Sequence, residues 1–119
     1  MIKIPLTKVR GIAYVMGANR VMSFMINIYY TGKNGNARKF AEEMVSSGIV
    51  EKIRAEDGNE RYEYFFPMDD SDTVMLLDRW RDNEALDKHH KSDMMKRIAE
   101  LRDKYSLHMR VEKFSDYKG

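Results

Sequence analysis

The sequence has 119 residues, of which 43% are hydrophobic and 34% charged, so it is expected to form one globular domain rather than a disordered chain. The 21 basic and 19 acidic side chains are mixed along the chain, which excludes a basic surface for nucleic acid, and no apolar run is long enough to span a membrane. Cysteine is absent, which excludes disulfides, thiolate metal sites and cysteine nucleophiles and suits the reducing cytoplasm, where we expect the protein.

The first 21 residues are the least informative part of the chain. They carry charges and one short apolar patch at 11–18, so the segment is too polar and too broken for a secretory signal. Val9–Met16 is compatible with an extra strand, so the segment is either an ordered arm or a leader. We therefore divide the chain into an N-terminal extension at 1–21 and a folded domain at 22–119.

Met22–Tyr30 is the first predicted strand, and both of its faces are largely apolar. This pattern indicates a strand that is covered on both sides. Asn27 is the one polar residue within its apolar run. A buried amide needs partners, so Asn27 either makes structural hydrogen bonds or points at a ligand.

Helical spacing then predicts a helix at Ala37–Ser47, with Phe40 and Met44 in its apolar stripe and Gly48 as its stop signal. The next two segments, Ile49–Glu56 and Glu60–Pro67, are predicted to be strands. Asp57, Gly58 and Asn59 would join them as a hairpin. The second of these strands carries Tyr62, Tyr64 and Phe66 on one face, as core aromatics or as a pocket wall.

The second half of the chain begins with a predicted buried strand at Thr73–Trp80. Asp82 or Asn83 is expected to cap a short helix, and Ser92 a second one. The predicted elements are helices at Glu84–His90 and Asp93–Lys104 and a last strand at Leu107–Phe114.

These elements fit one four-stranded antiparallel sheet with helices on one face if the predicted hairpin forms one long bent strand pair. This arrangement is a ferredoxin-like α+β fold. The helices can cover only one face of the sheet, yet the strands are apolar on both. A homodimer that presses two sheets together is therefore the simplest way to cover the second face.

At this point two motifs become informative. GNERYEYFF (Gly58–Phe66) is similar to a Gly-x-x-x-Tyr-x-x-Phe hairpin, and DRWRDNEALDKHHKSDMM (Asp78–Met95) is similar to an acidic-x-Trp…Ala-Leu…His-x-x-Ser pattern. With Ile26–Tyr30 ahead of them, these segments resemble the antibiotic biosynthesis monooxygenase family of dimeric α+β barrels, over about Met22–Phe114. The resemblance implies a pocket between the sheet and the helices. It also implies oxygenation of a small phenolic or quinol-like aromatic substrate by O2, with no metal, flavin or other cofactor.

Within such a pocket, His89 is the candidate base because imidazole titrates near neutral pH, and Trp80 can donate its indole N–H. Asn27 and Tyr64 could orient a substrate oxygen. His90 is expected to point outward and His108 to be structural or at the dimer contact. The remaining candidates for the substrate-binding wall are Phe66, Phe40, Met44 and Met95.

Three alternatives remain open at this stage. The first is a non-catalytic dimer of the same fold that binds a small apolar ligand. The second is the related haem-degrading branch, but His89 falls where that branch has its Trp and Ala99 where it has its His. The third is an RNA-binding sheet that stacks bases on Tyr62, Tyr64 and Phe66, although no basic Gly-Phe motif accompanies them.

Overall fold

The computed structural model describes residues 23–115, so the predicted extension at 1–21 lies outside the described residues. Its elements are β1 (Phe24–Thr31), α1 (Asn36–Ser46), α2 (Ile49–Arg54), β2 (Asn59–Phe65), β3 (Thr73–Trp80), α3 (Asn83–His90), α4 (Asp93–Lys104) and β4 (His108–Ser115).

The strands form one antiparallel sheet in the order β2-β3-β1-β4. Strand β1 pairs with β3 from Phe24 opposite Trp80 to Thr31 opposite Thr73, and with the edge strand β4 on its other side. Because β1 and β3 are the strands with apolar residues on both faces, they occupy the centre of the sheet. This arrangement confirms the predicted ferredoxin-like α+β fold.

All four helices contribute to one apolar core on the same face of the sheet. Side chains at alternate positions of β1, β2 and β3 point towards them, as the pleat of a strand requires. The most deeply buried members of this core are Phe40, Met44, Ile49, Ile53, Tyr62, Val74, Leu76, Trp80 and Leu86.

The prediction of a strand at Ile49–Glu56 is wrong, because residues 49–54 form helix α2. Its buried residues are Ile49, Val50 and Ile53, whose spacing places them on one face of a helix. Gly48 adopts a φ of +86° after α1, and its carbonyl accepts a hydrogen bond from the Lys52 N–H at 3.1 Å. The glycine that ends one helix therefore starts the next, and two helices, not one, follow β1.

The predicted hairpin turn at 57–59 consequently joins α2 to β2. Gly58 has a φ of +89°, and a Cβ atom there would lie 2.3 Å from the Cβ of Ala85 on α3. Its carbonyl accepts a hydrogen bond of 2.7 Å from the Arg81 N–H. Glycine is thus needed both for the backbone conformation and for the close approach of α3.

Candidate functional site

A cavity of about 270 Å³ lies between the sheet and helices α3 and α4. The edge strand β4 bounds its open side, where Met109 and Val111 remain 46% and 50% exposed. Ligand sites in proteins are typically apolar clefts with a few polar groups, and this cavity has that character. Its apolar wall includes Ile26, Ile28, Leu76, Leu86, Met95 and Ile98.

Asp78 is the acidic group of this wall. It lies opposite Ile26 in the ladder between β1 and β3, and alternation along β3 turns it towards the helices together with Leu76 and Trp80. Only 4% of its surface is exposed, and its Oδ1 has no hydrogen-bonding partner among residues 23–115. Burial raises the pKa of Asp78 to about 7, and the Trp80 indole N–H opposes this rise. The Asp78 carboxyl can therefore gain or lose a proton near neutral pH.

His89 is placed in the cavity wall by helix α3. The Asp82 side chain caps this helix by accepting a hydrogen bond of 2.8 Å from the Ala85 N–H. His89 is 3% exposed, and its Nδ1 lies 3.0 Å from Oε1 of Glu56. An ionised carboxylate can only accept hydrogen bonds, so Nδ1 carries the proton and Nε2 keeps its lone pair. Glu56 thus selects the imidazole tautomer in which Nε2 can act as a base.

Burial lowers the pKa of His89, while the hydrogen bond that His89 donates to Glu56 raises it. The indole of Trp80 stacks on the imidazole, with ring centroids 4.6 Å apart and an angle of 28° between the planes. Trp80 is fully buried, and its Nε1 has no hydrogen-bonding partner within the described part of the chain. The stack fixes the orientation of His89 and leaves an indole donor beside Asp78.

The other two histidines lie outside this constellation. His90 is exposed, as predicted, but it also borders the cavity, and its ring centroid is 5.8 Å from that of His89. His108 is exposed at the start of β4, opposite Thr31.

Phenol groups add further donors. Tyr30 and Tyr62 line the cavity and are each 2% exposed. Burial raises the pKa of both phenols, so they stay protonated at neutral pH. Tyr64, which was predicted to orient the substrate, does not line this cavity. It is half-buried, packs edge-on against Phe40 and Tyr62, and has a buried hydroxyl group without a partner in the described region.

The structure brings some of the predicted site residues together. His89 and Met95 line the cavity, and Trp80 contacts His89 from behind. Phe40 and Met44 lie on α1, are fully buried in the core and do not line the cavity.

Two predicted residues lie elsewhere. Asn27 is on the opposite face of the sheet, since its ladder partners are Leu77 and Glu112 rather than Asp78. Phe66 follows the end of β2, is 47% exposed, and lies under the Arg38 guanidinium group at 4.5 Å. Neither residue shares a cavity with His89, and we leave both out of the site proposed below.

Sequence reasoning missed Asp78 and Glu56 as members of the site. A signal for Asp78 was present, because it is the one charged residue on the face of β3 that also carries Val74, Leu76 and Trp80. No local pattern indicates Glu56, which lies 33 residues before His89.

No group of three or more His, Cys, Asp or Glu side chains in residues 23–115 is arranged to hold a metal ion. No helix among these residues is long and apolar enough to cross a membrane.

Comparison with known proteins relates this fold and site to a family. The chain is 28% identical over 68 residues to YcnE of Bacillus subtilis strain 168, a proposed monooxygenase, and the match covers 57% of this chain and 70% of YcnE. A conserved protein from Methanosarcina mazei superposes with a TM-score of 0.70 at 17% identity, over 82% of this chain and 95% of that one. SnoaB, a cofactor-independent oxygenase from Streptomyces nogalater, superposes with a TM-score of 0.67 at 10% identity, over 82% of this chain and 95% of SnoaB.

The model of the family described as antibiotic biosynthesis monooxygenase matches residues 23–101. This range runs from β1 into α4 and contains Asp78, Trp80 and His89. The predicted resemblance is therefore confirmed, and the chain belongs to the antibiotic biosynthesis monooxygenase family.

Proposed function

We propose that this protein is a cofactor-independent monooxygenase that oxidises a small phenolic or quinol-like aromatic substrate with O2. The observation that carries the proposal is Asp78, a buried carboxyl group with a pKa of about 7 in the wall of an apolar cavity. Perturbed titrating groups in clefts are typical of catalytic sites. Family membership supports the same class of reaction.

The reaction needs no external reductant, because the substrate supplies all the electrons. A hydroquinone with a free ring C–H reacts with O2 to give a hydroxyquinone and water. One oxygen atom enters the ring and the other leaves as water, so atoms and electrons balance. The protein has to remove a phenolic proton, stabilise the resulting anion and exclude bulk water.

The described residues supply groups for these tasks. Asp78 in its ionised form is the proposed base for the phenolic proton, and Nε2 of His89 is a second acceptor. The Tyr62 hydroxyl group is a donor that can stabilise negative charge on substrate oxygen, and the buried Trp80 indole N–H lies beside Asp78. The apolar wall keeps the site dry, which strengthens these interactions.

We also propose that two copies pair through the sheet face opposite the helices. Phe65 and Phe114 are 38% and 39% exposed, and both lie on this face. Their ladder neighbours are half-buried Met75 and buried Met25. Phe114→Glu should yield a monomer by sedimentation velocity, whereas a wild-type monomer would contradict the pairing. The cytoplasmic location expected from the sequence stays a prediction.

The test of the proposed activity is O2 uptake by the purified, chelator-treated protein with a panel of hydroquinones. Uptake above the autoxidation blank is expected, with kcat rising with pH through a pKa of about 7 as Asp78 ionises. Asp78→Asn should lower kcat about 100-fold and remove this pH dependence, as loss of a general base does. Asp103→Asn is the matched control, because the Asp103 carboxyl group is exposed on α4 and lies outside the cavity.

An unchanged rate in Asp78→Asn would refute the assignment of the base. Binding of aromatic ligands without O2 uptake across the panel would instead favour a non-catalytic ligand-binding protein of the same fold.

A further inference from the structure

The two ends of the cavity differ in chemistry. Asp78 lies in the row of the sheet that passes through Ile26, whereas Tyr30 lies four residues further along β1, in the row of Met109. Four residues of extended strand correspond to about 13 Å. This is the separation of the backbones. The Asp78 charge also acts on the titration of the Tyr30 phenol, so the two functional groups lie within electrostatic reach of each other, and a ligand with a single aromatic ring can contact both.

Arg102 brings a positive charge to the Tyr30 end. It lines the cavity from α4, on the same helical stripe as Met95 and Ile98. Its Nη1 donates to Sδ of Met109 at 3.7 Å, which is a weak acceptor. No carboxylate in residues 23–115 forms an ion pair with Arg102, although most other arginines of the described chain contact an acceptor oxygen. Its half-buried guanidinium group thus retains donors for a ligand.

Tyr30 supplies a neutral donor at the same place. Its ring packs against Phe40 with centroids 4.7 Å apart, and its hydroxyl group makes no hydrogen bond to any described residue. The charges of Arg102 and Asp78 are both close enough to act on the titration of this phenol: Arg102 lowers its pKa and Asp78 raises it. A guanidinium group and a phenol hydroxyl in the wall of the same cavity form a site suited to a carboxylate.

We propose that the substrate is an aromatic acid whose carboxylate binds Arg102 and Tyr30 while its ring hydroxyl group faces Asp78. The inference rests on the proposed function only for the statement that the ligand is turned over. The apolar wall between the two ends would cover the ring.

Binding of ligands that cannot react with O2 tests the anion site by itself. Calorimetric titration compares naphthoate with naphthamide, which has similar shape and no charge. Wild type should bind naphthoate about tenfold more tightly, as a charge-assisted hydrogen bond allows. Arg102→Gln should abolish this preference and leave the affinity for naphthamide unchanged, which also shows that the variant is folded. Lys96→Gln removes a charge from the exposed side of the same helix and should keep the preference.

Equal binding of the acid and the amide by wild type would overturn the proposal, as would failure to bind naphthoate. A loss of preference in Lys96→Gln as large as that in Arg102→Gln would also overturn it, because the effect would then reflect overall charge.

A second arm uses turnover of a dihydroxybenzoate and the matching dihydroxybenzamide. Arg102→Gln should raise KM for the acid about tenfold and leave its kcat unchanged, since Arg102 holds the substrate far from the reacting atoms. Preferential binding of naphthoate without O2 uptake would support the anion site and refute the proposed oxygenation, so the two failures are distinguishable.

Discussion

Replacing Asp78 by Asn should change how the stability of the protein depends on pH. The pKa of Asp78 is about 7 in the folded protein, against an ordinary value of 3.8. Between these values the folded state holds a proton that the unfolded chain has released. The free energy of unfolding therefore falls as pH rises through this window.

The size of the effect follows from the pKa difference. At about 1.4 kcal/mol per pKa unit, ionising Asp78 in the folded state costs about 4 kcal/mol in total. About two units of this window lie between pH 5 and the folded pKa, which corresponds to about 3 kcal/mol. This is a large fraction of the stability of a small domain, which is about 5–15 kcal/mol. Asn has the same shape as Asp and no charge, so Asp78→Asn should not show this loss.

The assay is urea unfolding of wild type and Asp78→Asn at pH 5 and pH 8, at one protein concentration. Wild type should lose about 3 kcal/mol more than the variant between the two pH values. Asp103→Asn, a change at an exposed carboxylate of α4, should run parallel to wild type. Parallel curves for wild type and Asp78→Asn would refute the argument that Asp78 is held protonated by burial. A variant that is more stable at pH 8 and also inactive would show that the site is maintained at the expense of stability.

Three further changes test other parts of the structure. Glu56→Gln removes a group that raises the pKa of His89, so NMR titration should show a lower pKa for His89. Turnover should also fall about tenfold. An unchanged titration would contradict the contact between Glu56 and His89. Ile53→Ala should lower the free energy of unfolding in urea by about 2–5 kcal/mol, because Ile53 is buried. The exposed control Val45→Ala should lower it by less than about 0.5 kcal/mol. Equally small losses in both variants would argue against a buried helix α2. Gly58→Ala should lower the free energy of unfolding by more than about 1 kcal/mol, because of its positive φ and the clash with α3, and a neutral change would show that α3 can move away.

Much of the fold could be predicted from the sequence. The limits of β3 and α4 agree with the predicted ones, because long apolar runs and clear helical spacing report directly on burial. The segment 49–54 could not be assigned with the same security. A short apolar run is compatible with a strand or with a buried helix. In the folded protein this segment is a helix, because that conformation packs Ile49, Val50 and Ile53 against the core.

The sequence by itself determined which side chains could do chemistry at the end of β3 and in α3. Trp80 and His89 are identified by residue type and by their spacing, and the structure stacks them. Only the tertiary structure decided the rest. The register of β1 put Asn27 on the far face, and burial changed the pKa of Asp78. The turn that follows α2 brought Glu56 to His89 as its carboxylate partner. These properties depend on contacts between residues far apart in the chain, which a local pattern does not contain.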